Sequence, residues 1–362
     1  MTSFATRSIA AALIAWSATL SGVAGQTQPR EPHTFLSKHI GFKPAELAEM
    51  EQGRVVAKVL ETNVKTEVAV FGVVWIDAPM DWFVRWQKDI ETLESGDAVQ
   101  AIKKISDPPQ LSDFDNLTFP EDDLEAIPDC KVGKCDVKVD GPTLERIQKE
   151  VNWSAPDAHE QASRFIRQTM LEAAQEYHKN GDAALGAYRD KKRPTFLAKE
   201  FDGLLQNSPF LVEYIPEFHR YLDEYPKAEL ADADSYLYWS RVQFGLRPTV
   251  RLNHVVIYSF GEGDDVAVAI GSKMLYASHY FHTALELKFL VKDSAHPEKV
   301  GFYLISLNRS RSDGLTGLFG GIVRSAAQSE ARKGLAFALE SGKQVLEEAY
   351  QEHTQQNSPT RR

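Results

Sequence analysis

The amino-acid sequence predicts an α+β protein, in which an antiparallel sheet is interrupted by a helical block and followed by one long helix. Strand-like patterns occur before residue 78 and again after residue 236, whereas helical spacing dominates from about 143 to 225. The late strands follow one another closely, which favours antiparallel pairing over crossover connections. A continuous helical pattern then closes the chain from about 318 to 350.

The N-terminus has the layout of a secretory signal peptide. Arg7 precedes an uncharged apolar run over 9–23, and small residues at 23–25 suit signal peptidase. We therefore expect residues 1–25 to be removed and 26–34 to form a flexible leader, with the mature chain in the periplasm or secreted. An uncleaved anchor is the alternative, but the run is shorter than the roughly 20 residues that span a membrane.

Composition predicts a globular protein with a packed core. Hydrophobic residues make up 43% of the chain, which is ordinary for a protein of this kind. The formal net charge of −10 argues against nucleic acid or an anionic membrane as a resident partner, because both bind clustered cations. Residues 35–350 are expected to form one domain, and 351–362 a disordered polar tail.

The first elements are a short helix, a hairpin and a second helix. Pro44 suits the first turn of a helix over 42–50. Valine and aromatic residues over 53–61 and 67–77 predict two strands, joined by a short polar segment. Apolar residues then recur at helical spacing over 81–93.

The two cysteines of the chain, Cys130 and Cys135, predict a disulfide. A close pair in an oxidising compartment favours a bond over a metal site, since two thiols alone do not complete a zinc shell. Gly133 can take the positive φ that a hairpin tip between them requires. The acidic, proline-containing stretch 106–128 predicts an irregular surface connection, and 137–139 a short strand.

The predicted helical block covers about 143–225. Its main helix spans 158–178 and ends at Asn180 and Gly181, a common helix-ending pair. The remaining helices of the block are predicted over 183–188, 195–205 and 213–222.

Strands return after residue 236. Polar and apolar residues alternate over 248–260, where one face carries Leu252, His254 and Val256. Further strands are predicted over 266–270, 274–291 and 300–309.

Three segments resemble the START-like, or helix-grip, superfamily. They are VAVFGVVWIDAPMDWFVRWQKDI at 68–90, GFYLISLNRSR at 301–311 and GGIVRSAAQSEARKGLAFALESGKQVLE at 320–347. The resemblance implies a curved antiparallel sheet gripping the long C-terminal helix, with a cavity between them for a lipid or other hydrophobic ligand. The helical block and the signal peptide depart from the usual pattern of that superfamily.

The closing helix carries small residues at regular spacing. Gly334, Ala338 and Gly342 recur every four residues and so form one shallow side of the helix. Two interpretations are open. The small residues allow close packing on the sheet, or they leave room for a ligand.

Two histidines are predicted to point inward. His254 shares its strand face with apolar residues, and His279 does so if 274–291 is one continuous strand. A buried imidazole needs a hydrogen-bond partner, which is a ligand head group, a neighbouring side chain or buried water. On a helix, His279, His282 and Glu286 would share one face and could bind zinc, but on a strand that site is lost.

The segment after the last strand combines arginines with glycines. Arg309 and Arg311 precede four glycines and the start of the closing helix, an arrangement that can hold a phosphate or carboxylate. Alternatively, the arginines pair with Asp313 within a flexible connection. A mobile loop exposing Leu315, Leu318 and Phe319 could also gate a cavity.

The sequence favours an exported binding protein that holds a lipid or other hydrophobic molecule between sheet and helix and needs no cofactor. His254, His279 or Arg309 would orient the polar end of the ligand. One alternative is an envelope hydrolase or metal-assisted enzyme using His279, His282 and Glu286. The other is a non-catalytic interaction protein that acts through its helical block.

Overall fold

The computed structural model describes residues 32–94, 96–245, 247–261, 266–293 and 296–357. The predicted signal peptide lies outside these residues, as do most of the predicted leader and residues 358–362. Residues 351–357, predicted to belong to a disordered tail, instead extend the closing helix (Gly320–Asn357). The last leader residues begin helix α1 (Pro32–Phe35).

Eight strands form one antiparallel sheet. They are β1 (Val56–Leu60), β2 (Glu67–Ile76), β3 (Val99–Lys104), β6 (Ala233–Gln243), β7 (Pro248–Phe260), β8 (Ala267–Ala277), β9 (Phe281–Val291) and β10 (Phe302–Ser312). Their order in the sheet is β1-β2-β10-β9-β8-β7-β6-β3. A separate ribbon pairs β4 (Ala187–Tyr188) with β5 (Thr195–Phe196). The α+β class is confirmed, and the large sheet is open.

One prediction in the sheet is wrong. The stretch 274–291 is not a continuous strand, because β8 ends at Ala277 and β9 begins at Phe281. Tyr280 in the turn has φ 57°, a value that non-glycine residues seldom adopt. The turn lacks the glycine or proline that would have marked it, so the alternating pattern concealed it.

Helices α3 (Met80–Lys88), α4 (Ile90–Leu93) and α11 (Gly320–Asn357) cover one face of the sheet. Helix α11 lies over β1 and β2 at the edge of the sheet. Its Leu335 and Leu339 are buried against the strand, opposite Gly72 of β2. The missing side chain of this glycine therefore provides the space that lets the long helix approach the strand.

Helices cover the opposite face as well. They include α2 (Pro44–Glu51), α5 (Glu121–Ala126), α6 (Gly141–Glu150), α7 (Ala158–Asn180), α8 (Leu197–Gln206), α9 (Phe210–Tyr214) and α10 (Pro216–Glu224). Phe201 and Phe218 pack on Phe71 and its neighbours in β9 and β10. Met170 of α7 packs with Trp239 in a second apolar cluster on β6, β7 and β8.

Several local predictions need correction. Residues 183–188 form no α-helix, since a 3₁₀ turn at Gly181–Ala184 leads into β4. The helix predicted over 213–222 is interrupted where Ile215 leaves helical geometry before Pro216. Residues 137–139 form no strand. The disulfide between Cys130 and Cys135 is confirmed, and Gly133 between them has φ 89°.

Replacing Gly72 with alanine is expected to lower the free energy of unfolding by about 1–3 kcal/mol, because the new Cβ overlaps Leu339 and crowds Leu335. Chemical denaturation measures the change. Gly334→Ala on α11 is the control, since no heavy atom lies within 4 Å of its added Cβ and alanine favours a helix by up to about 1 kcal/mol. A Gly72→Ala variant as stable as the wild type would contradict the conclusion that Gly72 provides the space for α11.

Candidate functional site

The face of the sheet that carries α11 has polar side chains at its centre. Gly72, beneath the helix, is paired with Ser306, and Ser306 is paired with Lys288. One row further along this face, Asn308 is paired with Glu286. Directly paired residues of antiparallel strands point to the same side, so these side chains lie on the face that carries α11. We define the polar floor as Ser272, Glu286, Lys288, Ser306 and Asn308.

Water reaches the polar floor because α11 lies to one side of it. The side chain of Glu286 is 36% exposed and that of Lys288 is 21% exposed, and the Lys288 Nζ lies 3.0 Å from Glu286 Oε1. Burial acts to raise the pKa of Glu286, but the charge and hydrogen bond of Lys288 outweigh it and hold that pKa below its usual range. The floor thus presents a carboxylate and an ammonium group side by side.

A second charged group lies towards the far edge of the sheet. Arg251 donates through Nη2 to Glu94 at 2.6 Å and through Nε to Ser240 at 2.8 Å. The hydroxyl of Tyr238 donates to the same glutamate at 2.8 Å, and burial raises the pKa of this tyrosine well above its usual value. These contacts fix a polar wall next to the floor.

One buried amide nitrogen on this face has no hydrogen-bond partner among the described residues. Asn253 pairs with Tyr238 across the strands, so both side chains lie on the α11 face. The asparagine is only 2% exposed, and its Nδ2 has no partner among the described residues. A buried donor without an acceptor is costly, so this amide is a position where a ligand oxygen would be stabilised.

The small residues of α11 do not pack closely against the sheet. An added Cβ at Gly334 or Gly342 would meet no heavy atom within 4 Å. Phe337 and Val345 each follow one of these glycines by three residues and are 74% and 50% exposed. Residues at that spacing share a side of a helix. The helix therefore exposes this side, and the interpretation as close packing on the sheet does not hold for Gly334 and Gly342.

His254 points into the interior, as predicted, but towards the face opposite α11. Its Nδ1 lies 3.0 Å from the hydroxyl of Tyr177 in α7, and its Nε2 lies 2.7 Å from Ser235 Oγ. Burial, with the nearby Lys273 ammonium, lowers the pKa of this histidine to about 3. A neutral imidazole with both nitrogens occupied is unsuited to orient a ligand or to act as a general base at neutral pH.

His279 lies in the turn between β8 and β9 and is held by the segment that precedes the helical block. Its Nε2 lies 2.8 Å from Asp123 Oδ2, and its Nδ1 lies 3.1 Å from the Asp136 carbonyl oxygen. Both ring nitrogens again have partners within the chain. This histidine lies in a different part of the structure from the polar floor.

Arg309 and Arg311 lie within β10 and not in the loop before α11. Both contact the fully buried Glu67, at 2.7 Å from Arg309 Nη1 and 3.4 Å from Arg311 Nε. Carboxylates of the chain itself therefore occupy the guanidinium groups that were predicted to bind an anion. Asp313 pairs with Lys138 and His282, so the predicted pairing with the arginines is also wrong.

Two of the three apolar residues predicted to be exposed in the loop are exposed. Leu318 and Phe319 are 93% and 68% exposed, whereas Leu315 is buried.

The alternative zinc site is not assembled. His282 lies in β9 and contacts Asp313 at 2.9 Å, while Glu286 pairs with Lys288. Burial lowers the pKa of His282, but its hydrogen bonds to Asp313 and Glu200 outweigh this effect and raise it. In the described ranges, no three histidine, cysteine, aspartate or glutamate side chains are grouped so that they could bind a metal ion.

The polar floor was not predicted from the sequence, although its signal is present there. The run Leu285-Glu286-Leu287-Lys288-Phe289 alternates apolar and polar residues, which places the charged pair on one face of a strand. The partner positions Ser306 and Asn308 alternate in the same way with Leu307.

Across the residues that the structure describes, no helix is both long and apolar enough to cross a membrane. A scan against protein-family models finds no match for this chain, and a search of the curated proteins finds none either.

Proposed function

We propose that the chain is an exported binding protein for a lipid or another amphipathic molecule. The ligand lies in a groove between the polar floor of the sheet and the open side of α11. Its polar end contacts Lys288, Glu286 and the amide of Asn253, and its apolar part contacts the helix around Val345. The observation that carries this proposal is the buried Asn253 Nδ2, which has no partner among the described residues, on the sheet face that also carries a charged pair reached by water.

The shape of α11 supports an apolar contact. Val345 is exposed, and Gly342 three residues before it leaves open space on that side of the helix. Covering exposed apolar surface contributes about 25 cal/mol per Å² to binding. A ligand that covers this side gains affinity without any new charge pair.

The connectivity of the sheet supports the proposed START-like relationship. Strand β2 leads through Asp77-Ala78-Pro79 into α3, and β10 leads into α11, as the resemblance implies. Because fold alone does not specify a ligand, the proposal depends on the groove and not on the resemblance. The Cys130–Cys135 disulfide supports export, since such bonds persist in oxidising compartments.

Native mass spectrometry of residues 26–362, purified from a periplasm without detergent, tests the proposal. We expect a bound mass of several hundred daltons that organic solvent releases, or that appears after incubation with a lipid extract. Ala338→Trp places a bulky side chain on the open side of α11 and is expected to weaken binding at least about tenfold. Glu340→Trp, at an exposed position two residues further along the helix, is the matched control.

Two results would overturn the proposal. One is a bare chain mass that persists after incubation with lipid extract. The other is a bound lipid that both tryptophan variants retain equally.

A further inference from the structure

The helical block and the sheet enclose an apolar cavity of about 190 Å³ on the face opposite α11. Its walls come from α6, α7 and the segment that contains β4, and its floor comes from β7 and β8. Leu252 and Leu275 in the floor are 1% and 3% exposed. Phe165 and Leu185 are partly exposed and Ala173 is exposed, so a small molecule can reach the cavity from solvent.

The polar groups around this cavity are satisfied, with one exception. The hydroxyls of Tyr177, Tyr188 and Tyr276 are hydrogen-bonded to His254, the Ala277 backbone N–H and the Lys138 carbonyl oxygen, in that order. Asp140 caps α6 by accepting from the backbone N–H and the hydroxyl of Thr143. The lining therefore leaves few polar positions open to a ligand.

The exception is Thr169 in the middle of α7. Its Oγ1 is inaccessible to solvent and has no hydrogen-bond partner among the described residues. A threonine in a helix usually bonds its hydroxyl to the carbonyl one turn earlier, so a free hydroxyl here is unusual. Because Thr169 lines the cavity, one polar atom of a ligand can satisfy it.

We propose that this cavity is a second binding site, for a neutral one-ring molecule that carries a single hydroxyl or carbonyl group. A cavity of about 150 Å³ is known to accept benzene, so 190 Å³ admits one ring with a small substituent. The ring lies among the floor leucines and Met170, and its polar atom bonds to Thr169. The carboxyl group of Asp140 in the lining disfavours anions.

This site is distinct from the groove of the proposed function. The groove lies on the α11 face, has charged residues and accepts a larger amphipathic molecule. The cavity lies across the sheet, is mostly apolar and is too small for a lipid chain with its head group. Either site can therefore be lost without loss of the other.

Paired probes test the proposal on the intact mature chain. p-Cresol and toluene differ by one hydroxyl group, and titration calorimetry or the shift in melting temperature reports their binding. We expect saturable binding of p-cresol, about fivefold tighter than that of toluene, since one hydrogen bond accounts for a ratio of that size. Thr169→Val preserves the shape of the side chain and is expected to remove this preference.

Two tryptophan variants test the location. Ala173→Trp at the mouth is expected to weaken both probes at least about tenfold. Lys179→Trp is exposed on the same helix, does not line the cavity and is expected to leave both affinities unchanged. Ala338→Trp on α11 is also expected to leave them unchanged, which separates this site from the groove.

Three outcomes would overturn the proposal. Binding of neither probe up to its solubility limit would show that the cavity does not accept such molecules. A p-cresol preference that survives Thr169→Val would show that the hydroxyl of Thr169 does not bind the ligand. Equal binding to the Ala173→Trp and Lys179→Trp proteins would place the probes elsewhere.

Discussion

The substitution Glu67→Gln is expected to lower the free energy of unfolding by about 3–5 kcal/mol. Glu67 is fully buried and accepts from Arg309 at 2.7 Å, Arg311 at 3.4 Å and the Asn207 amide at 2.8 Å. Removing its charge leaves two buried guanidinium groups with too little negative charge nearby. The effect is expected to be largest at the guanidinium group of Arg309, because its Nε has no partner among the described residues even in the wild type.

Glu200→Gln is the matched control for this prediction. Glu200 lies 3.1 Å from Arg311 but is 24% exposed, so water compensates for part of the lost charge. We expect a loss of about 1 kcal/mol or less for this variant. Urea denaturation at pH 7 measures both changes. Equal losses for the two variants would show that burial of Glu67 does not determine the result.

The substitution Asp182→Asn is expected to destabilise the protein by about 3 kcal/mol at pH 7. Asp182 is the ion-pair partner of Lys273, whose side chain is only 1% exposed and lies over the Phe201 ring, 3.6 Å from its centroid. Without the aspartate, a buried ammonium group loses its ion-pair partner. It must then lose its proton or unfold the surrounding structure.

Lys273→Met is the matched variant at the other end of this ion pair. Asp182 is 23% exposed, so its carboxylate remains partly hydrated when the lysine is removed. Methionine fills much of the same space among apolar neighbours, and we expect a change within about 1 kcal/mol. Thermal and urea unfolding measure the asymmetry. Equal losses in the two variants would contradict the argument from burial.

The pH dependence of stability provides an independent measurement of Lys273. Burial lowers the pKa of this lysine to about 8, although Asp182 acts in the opposite direction. Between pH 8 and the usual value of 10.5 the unfolded chain binds the extra proton, so stability rises with pH across that window. The rise amounts to about 3 kcal/mol and is absent from Lys273→Met. If the stability of Lys273→Met showed the same pH dependence as the wild type, the rise in stability would come from groups other than Lys273.

Much of the fold follows from local pattern. Strand β7 has the predicted bounds because its residues alternate without interruption. Helix α7 was recognisable from its apolar spacing and from Gly181, which ends it with φ 56°. The turn at 278–280 was missed because tertiary contacts hold Tyr280 in an uncommon conformation, where its hydroxyl accepts from the Arg247 backbone N–H.

The candidate site was harder to predict for a physical reason. Alternation shows that Glu286 and Lys288 share a strand face, but not which face carries α11. That assignment depends on the pairing of β10 with both β2 and β9, which brings Gly72 into line with Lys288. In the same way, nothing local to His254 indicates that Tyr177 of a distant helix supplies its partner.

Strand β10 lies between β2 and β9 although it is the last strand in the chain. The β1–β2 hairpin is made early in synthesis, yet it joins the sheet only when the final strand arrives. Until then β2 presents an unpaired edge, and such edges are prone to pair with other chains. The sheet is thus completed by its C-terminal strand. In a chain that stops before residue 302, β1 and β2 cannot pair with the rest of the sheet, because β10 is missing.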